Sequence, residues 1–390
     1  MEGMGLLAAF EQMYGTSQQE VKVFFCPGRV NLIGEHTDYN GGLVFPCALS
    51  YGTYLAVRKS QDNVLKFASM NFDYKEHAHL DDLDRKRDGG AWVNYPLGVI
   101  QQLRTKGFQP SGLELLYTGT IPNGAGLSSS ASIEVLTAFA LNDMFQLGHN
   151  RTEMALMSQR AENQFVGVNC GIMDQFAVAM GKKDHAIALK CDTLDYELVP
   201  VVLGDFRIMI SNTNKRRGLA DSKYNERRSE CDAAVTYLSE AGKISFLCEL
   251  SLDEFQARQH LIPDAVIRKR ALHAVSENAR VKTAVACLKA GKLEEFGQLM
   301  NASHDSLRDD YEVTGTELDT LVEEARKIDG VIGSRMTGAG FGGCTVSLVH
   351  KDAIQAFQQQ VAVAYTARTG LVPDFYVACV GDGAMDITGL

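Results

Sequence analysis

Arg29 stands inside an otherwise apolar run, and Glu35, His36 and Asp38 follow it closely within the segment Pro27–Gly42. A buried arginine needs an anionic partner, and its planar fork of donors suits phosphate or carboxylate. The acidic residues and the histidine behind it supply closely spaced donors and acceptors of the sort that bind vicinal hydroxyls. Taken alone, His36 reads as a satisfied core histidine. Several polar and charged residues in one apolar frame read instead as a site.

Two glycine-rich segments stand farther along the chain. Pro122–Ser132, with the sequence PNGAGLSSSAS, lies between an expected strand and an expected helix. Glycine lets backbone N–H groups curl around an anion, and the helix that follows adds unpaired N–H groups and the positive end of its dipole. Serines but no lysine follow the glycines, so this is not a Walker-type loop. The plainer alternative is a glycine turn with serine caps, each contributing about 0.5–2 kcal/mol to helix stability. Gly338–Gly343 satisfies G-x-G-x-x-G, yet Cys344–Val349 behind it reads as a strand, whereas a dinucleotide fingerprint must open a helix. A glycine loop between strands suits close backbone packing against a ligand or another loop, or a simple hairpin.

The elements that must position these segments show in the hydrophobic pattern. Val21–Phe25, Thr53–Val57, Val64–Ala68 and Leu113–Tyr117 read as strands, so the first half opens as a sheet. From Ser129 the spacing turns helical, with Ile133, Leu136, Ala140 and Met144 on one face, and a second helix is expected over Thr152–Phe165. These helices should cover one side of the sheet. The second half predicts helices over Asp221–Glu240, Ala265–Lys289, Leu293–Asp309 and Gly315–Lys327, with strands at Val331–Arg335, Cys344–Val349 and Phe375–Val380. Strands interleaved with helices in both halves argue a two-domain α/β or α+β protein joined near residues 190–205.

Composition narrows the function. At 390 residues the chain exceeds the size at which one core stops growing, so two domains and a cleft between them are expected. A formal net charge of −10 repels nucleic acid and anionic membrane surfaces. The basic cluster Lys215-Arg216-Arg217 sits in a polar stretch and reads as a solvated loop, or as a neighbour of phosphate. Nine scattered cysteines without a C-x-x-C pair fit neither a disulfide framework nor a zinc site, and suggest reduced thiols in a cytoplasm. The amino terminus lacks the pattern of a secretion signal, and no apolar run reaches the roughly 18 residues that would span a bilayer.

GRVNLIGEHTDYN at residues 28–40 resembles the signature of the galactokinases, members of the wider GHMP small-molecule kinase family. PNGAGLSSSAS resembles that family's phosphate loop, and TGAGFGG at residues 337–343 its carboxy-terminal motif. The order and spacing of these motifs agree over nearly the whole chain. The resemblance implies an α+β, two-domain fold with mixed sheets covered by helices and the active site in the interdomain cleft, divided as residues 1–200 and 201–390. It implies ATP-dependent phosphorylation of the anomeric hydroxyl of galactose, the first committed step of galactose utilisation in the Leloir pathway. Galactose and ATP would be its partners, in a monomer or weak homo-oligomer.

By the same resemblance the sugar pocket would comprise Glu35, His36, Thr37, Asp38, Gly171, Asp174 and Tyr224. Nucleotide would sit on Gly124, Ala125, Gly126, Leu127, Ser128, Ser129 and Ser130, near Ser69 and Trp92, with Mg²⁺ held by Ser130 and Glu162. Asp174 and Arg29 would be catalytic, Asp174 taking the proton of the sugar hydroxyl with Arg29 beside it. Each has a plainer reading too: Asp174 as an acid in a helix's first turn, Glu162 as a solvated helix residue, Tyr224 as packing at a domain edge. Related readings are a kinase for N-acetylgalactosamine or another sugar, and a non-catalytic galactose and ATP sensor. Such sensors lack a Ser-Ala pair in the phosphate loop, whereas Ser130-Ala131 is present here.

Overall fold

The computed structural model of the chain describes residues 2–89, 91–122, 126–215 and 220–389. Its strands are β1 (Lys22–Asn31), β2 (Leu43–Val44), β3 (Pro46–Lys59), β4 (Val64–Ser69), β5 (Glu76–His79), β6 (Leu113–Gly119), β7 (His185–Lys190), β8 (Tyr196–Pro200), β9 (Phe206–Asn212), β10 (Val331–Thr337), β11 (Cys344–His350), β12 (Asp374–Ala378) and β13 (Met385–Asp386). They form a six-stranded sheet in the order β13-β1-β3-β6-β4-β5, a four-stranded sheet β10-β11-β9-β12 and a three-stranded sheet β2-β7-β8. Among the described residues only β4 and β6 pair in parallel, so the first sheet is mixed. The fold is α+β, as expected.

One face of the first sheet buries Phe24, Leu55, Leu115 and Tyr117 against helices that include Ser129–Phe145 and Met173–Met180. The other face packs on the helix Glu2–Tyr14 through Leu6, Phe10, Val23 and Ala56. In the four-stranded sheet successive side chains alternate faces, as strand geometry requires. Ile208 and Ile210 of β9 meet Val281 and Phe296, while Met209 between them faces Phe357 and Tyr365. A shared core joins the first sheet to the second through Val30, Phe45, Leu127, Ile210 and Val346. Each fully buried Val, Leu, Ile or Phe stabilises this seam by about 1.5–3 kcal/mol.

The strands and helices read from periodicity are present, with edges moved by a few residues. Ser129–Phe145 differs in kind: Ser132, Val135, Ala138 and Leu141 are buried as well as Leu136 and Ala140, so the helix is enclosed rather than one-sided. The expected helix Thr152–Phe165 is α-helical over Arg151–Arg160 and then widens into a π-helical turn, Ala161–Val166. A second such turn, Leu307–Tyr311, ends the helix Leu293–Ser306. Val380 lies outside β12 and makes an isolated bridge to Leu49. All nine cysteines are free thiols, and no helix among the described residues is long and apolar enough to cross a membrane.

One irregularity aims the site. Along β1 and β3, Pro27 faces Gly52 but Arg29 faces Ala48, so β3 bulges opposite a proline that has no N–H to offer the ladder. Beyond the bulge, the Arg29 N–H donates to the carbonyl of Leu127 at 3.1 Å, joining β1 to the serine-rich segment. A Cβ at Gly28 would stand 2.6 Å from that same carbonyl and 3.0 Å from Ile121. Gly28→Ala should therefore cost about 1–3 kcal/mol through overpacking, read as a fall of several degrees in the thermal midpoint. Gly5→Ala, at an exposed position of the helix Glu2–Tyr14 with open space around it, should raise the midpoint slightly. Equal midpoints for parent and Gly28→Ala would refute the close approach.

Candidate active site

Arg29 is 3% exposed, and its guanidinium must find partners inside the protein. Nε and Nη2 grip both oxygens of Asp174 at 2.8 and 2.7 Å, a bidentate pair, and Nη1 donates to the Gly126 carbonyl at 2.7 Å. Asp174 lies in the first turn of the helix Met173–Met180 and keeps 29% of its side chain exposed. The Ser128 hydroxyl donates to Asp174 Oδ2 at 2.5 Å. Serine caps were one reading of this segment; Ser128 instead adopts a left-handed backbone conformation and spends its hydroxyl on Asp174, and no side chain caps the helix behind it.

Glu35 is fully enclosed. Arg335 Nη2 approaches it at 2.5 Å, Asn31 donates at 2.9 Å and the Gly338 N–H at 2.7 Å. Burial pushes its pKa up, while Arg335 and the Gly338 N–H pull it back. Gly338 has φ +84, and a Cβ there would lie 3.1 Å from the Gly126 carbonyl. The third glycine motif, the loop between β10 and β11, thus bridges Glu35 and the serine-rich segment through its backbone.

His36 sits in the left-handed region at φ 63, with Nδ1 2.8 Å from the Tyr39 hydroxyl. Burial, reinforced by His273, pushes its pKa down to about 3, so the ring is neutral. Asp38 is pushed up to about 6 by burial and by Asp174. A Cβ at Gly171 would overlap the Asp38 carboxylate, which explains glycine there. The Tyr224 ring lies 5.6 Å from His36 and 5.5 Å from Tyr39. His36, Asp38 and Tyr224, with Arg29, Glu35, Gly171 and Asp174, line one cavity of about 290 Å³. Thr37 does not reach it: its hydroxyl donates to the Gly34 and Leu43 carbonyls and holds the turn.

Gly126, Ser128, Ser129 and Ser130 line the same cavity, whereas the Leu127 side chain belongs to the shared core. Gly124 and Ala125 lie outside the described residues, as do Arg216 and Arg217. Lys215 pairs with Glu317 at 2.8 Å. A neighbouring cavity of about 190 Å³ contains Ser69, Trp92, Phe72 and Tyr117, and Ser129 and Ser130 belong to both cavities.

Glu162, carried by the π-helical turn, is pushed up to about 7 by burial and by Asp174; the Ser130 hydroxyl, Cys170 and Gln175 oppose the shift. Its plainer reading as a solvated residue fails, since it is 6% exposed. Gln175 donates to Glu162 at 2.6 Å and to Glu134 at 3.2 Å. Burial, then Glu162, pushes the Glu134 pKa well up, and Glu134 Oε1 is buried without a partner. No group of three or more metal-ligating side chains is found among the described residues. A hard cation held by one carboxylate, one hydroxyl, phosphates and water needs no such group.

Sequence reasoning missed Arg335, Glu134, Gln175, Tyr39 and Tyr311. Arg335 had the signal that marked Arg29, a lone arginine in an apolar strand; the aromatic and amide residues had none.

Comparison with known proteins is consistent along the chain. Residues 8–59 match the galactokinase galactose-binding signature, residues 94–182 the GHMP kinases N terminal domain and residues 284–366 the GHMP kinases C terminal domain. A galactokinase of Fusobacterium nucleatum is 56% identical over 385 residues, covering 97% of this chain and 98% of that protein. A galactokinase of Clostridium beijerinckii is 51% identical, covering 99% of this chain and all of that protein. The crystal structure of Lactococcus lactis galactokinase complexed with galactose superposes with a TM-score of 0.96 at 47% identity, covering 99% of this chain and 100% of that chain. A mevalonate kinase at 17% identity and TM-score 0.67, covering 92% of this chain and 99% of its own, shares the fold.

The acid-rich cavity has a measurable stability signature. Asp38 ionises near 3.8 when unfolded but holds its proton to about 6 when folded, so it destabilises the ligand-free protein progressively as pH rises from about 4 through 6. Asp38→Asn removes that contribution. The variant's stability relative to the parent, from denaturant melts, should rise across this window and then level off; a flat difference from pH 4 to 8 refutes the assignment.

Proposed function

The chain belongs to the galactokinase family of GHMP kinases, and on that premise we propose how its paired cavities carry out the transfer. The reaction is phosphorylation of galactose by ATP, giving galactose 1-phosphate and ADP. Galactose occupies the cavity of Glu35, His36, Asp38, Gly171, Asp174 and Tyr224; ATP lays its phosphates along Gly126–Ser130 and its base toward Ser69 and Trp92. The observation that carries this reading is that Ser129 and Ser130 belong to both cavities, while Asp174 stands 2.5 Å from the neighbouring Ser128 hydroxyl. An acceptor beside Asp174 is thereby next to the phosphate loop.

Phosphoryl transfer has a loose transition state, so positioning and charge do most of the catalysis. Asp174 takes the proton of the anomeric hydroxyl; Arg29 holds its carboxylate in place from one side and Ser128 from the other. Mg²⁺ would be held by Ser130 and Glu162 and, when bound, neutralises phosphate charge. The surplus of buried carboxyl groups there, including the unpartnered Glu134 oxygen, suits a cation.

We also propose a division into two bodies near residue 200, with the end of the chain returning to pair β13 with β1. Nine free thiols support a reducing cytoplasm.

Asp174→Asn should lower turnover by about 10²–10⁴ while galactose affinity changes only a few-fold. ADP release measured with galactose, and in parallel with N-acetylgalactosamine and other sugars, tests both role and specificity; near-normal turnover in the variant removes the base. Glu162→Ala should raise the Mg²⁺ concentration needed for half-maximal rate and weaken Mn²⁺ binding measured by electron paramagnetic resonance. Unchanged binding would remove Glu162 as a ligand.

A further inference from the structure

We infer that Tyr39 and Tyr311 are positioning residues that fix which ring nitrogen of His36 carries its hydrogen, so that Nε2–H faces the sugar as a donor. The inference rests on the reading of His36 as a galactose contact. A neutral imidazole has one donor and one acceptor nitrogen, so the tautomer decides what the ring can recognise.

The Tyr39 hydroxyl lies 2.8 Å from His36 Nδ1 and 2.7 Å from the Tyr311 hydroxyl, which lies 3.1 Å from Cys231 Sγ. Asn40 Nδ2 donates to that sulfur at 3.6 Å. With sulfur accepting from Asn40, the thiol hydrogen goes to Tyr311, Tyr311 donates to Tyr39, and Tyr39 donates to Nδ1. Every hydrogen of the run then has an acceptor. Reversed, Nδ1–H would donate to Tyr39 and Tyr311 to sulfur, leaving the thiol hydrogen without an acceptor among these groups.

The forward polarity leaves the ring hydrogen on Nε2. That atom is buried, makes no side-chain hydrogen bond, and belongs to a residue on the cavity wall, where the Ala339 backbone also favours a ring N–H. The aromatic rings that carry the hydroxyls are packed in place: His36 lies 4.8 Å from the Tyr311 ring and His273 lies 4.6 Å from it. His36 also keeps a left-handed backbone conformation that costs a non-glycine residue free energy, as residues at functional sites often do. Burial drives its pKa to about 3, so at neutral pH the ring is uncharged and has one N–H to offer.

The test is ring-nitrogen NMR of the full chain labelled with ¹⁵N-histidine, with the His36 signals assigned through His36→Gln. The Nε2–H tautomer is expected in the parent, a measurement that needs no variant to fold; an Nδ1–H tautomer overturns the inference. Tyr39→Phe keeps the ring packing and should erase the preference. It should raise the KM for galactose about three- to tenfold, the worth of one hydrogen bond, with kcat within about twofold. Among 2-, 3-, 4- and 6-deoxygalactose, one sugar should show no KM difference between parent and variant, which a general loss of structure would not produce. A Tyr39→Phe variant matching the parent in both tautomer and KM overturns the inference. If His36→Gln leaves the galactose KM unchanged, the underlying sugar contact falls while the tautomer result stands, so the two failures are distinguishable.

Discussion

An arginine cannot shed its charge inside a protein, and burying Arg29 commits its surroundings to supplying anionic and carbonyl partners. Two other pieces of chain answer that demand: Asp174 from a helix start and the Gly126 carbonyl from the serine-rich segment, whose next carbonyl, that of Leu127, accepts the Arg29 backbone N–H. The pair is expensive to leave half-made, so β1 and these two pieces are locked together before any ligand arrives. Asp174 and the serine-rich loop are brought together by a requirement of folding. Remove the guanidinium and both the seam and the chemistry lose their common support.

The rest of the cleft runs the opposite way, toward unpaired acid. Asp38, Glu162 and Glu134 are all pushed upward, by burial first and by a neighbouring carboxylate second: Asp174 for Asp38 and Glu162, and Glu162 for Glu134. Among the described residues no arginine forms an ion pair with any of these three, as Arg335 does with Glu35, and their raised pKa values cost stability at neutral pH. Glu35 and Asp38 stand only a turn apart yet have different work: one clamps backbone together, the other is left with a carboxylate to offer.

The sequence carried the parts of this site that are contiguous. Arg29, Glu35, His36 and Asp38 could be singled out because charge in an apolar frame is conspicuous within one segment, and the serine-rich loop announced itself by lying between strand and helix. Asp174, Glu162 and Tyr224 came from family resemblance alone, because an acid in a first turn or a tyrosine on a helix looks the same whether it serves or merely packs. Glu134 and Gln175 were invisible for a further reason: their significance is a three-body arrangement made only when two helices and a π-helical turn converge. Periodicity found only part of the buried surface of the helix Ser129–Phe145, since burial extends from Leu136 and Ala140 to Ser132, Val135, Ala138 and Leu141.

The glycine loop between β10 and β11 shows how backbone can outdo side chains at such a seam. Any side chain at residue 338 would push toward the Gly126 carbonyl and strain a φ of +84, yet the N–H there is needed by Glu35 at 2.7 Å. Phe341 in turn donates its N–H to the Val313 carbonyl at 2.7 Å, anchoring the far side of the loop next to the turn that carries Tyr311. One short hairpin therefore touches Glu35, the Gly126 carbonyl and the aromatic cluster behind His36. A motif that formally matches a dinucleotide fingerprint in its letters acts here through backbone, with Gly338 and Ala339 forming part of the wall of the first cavity.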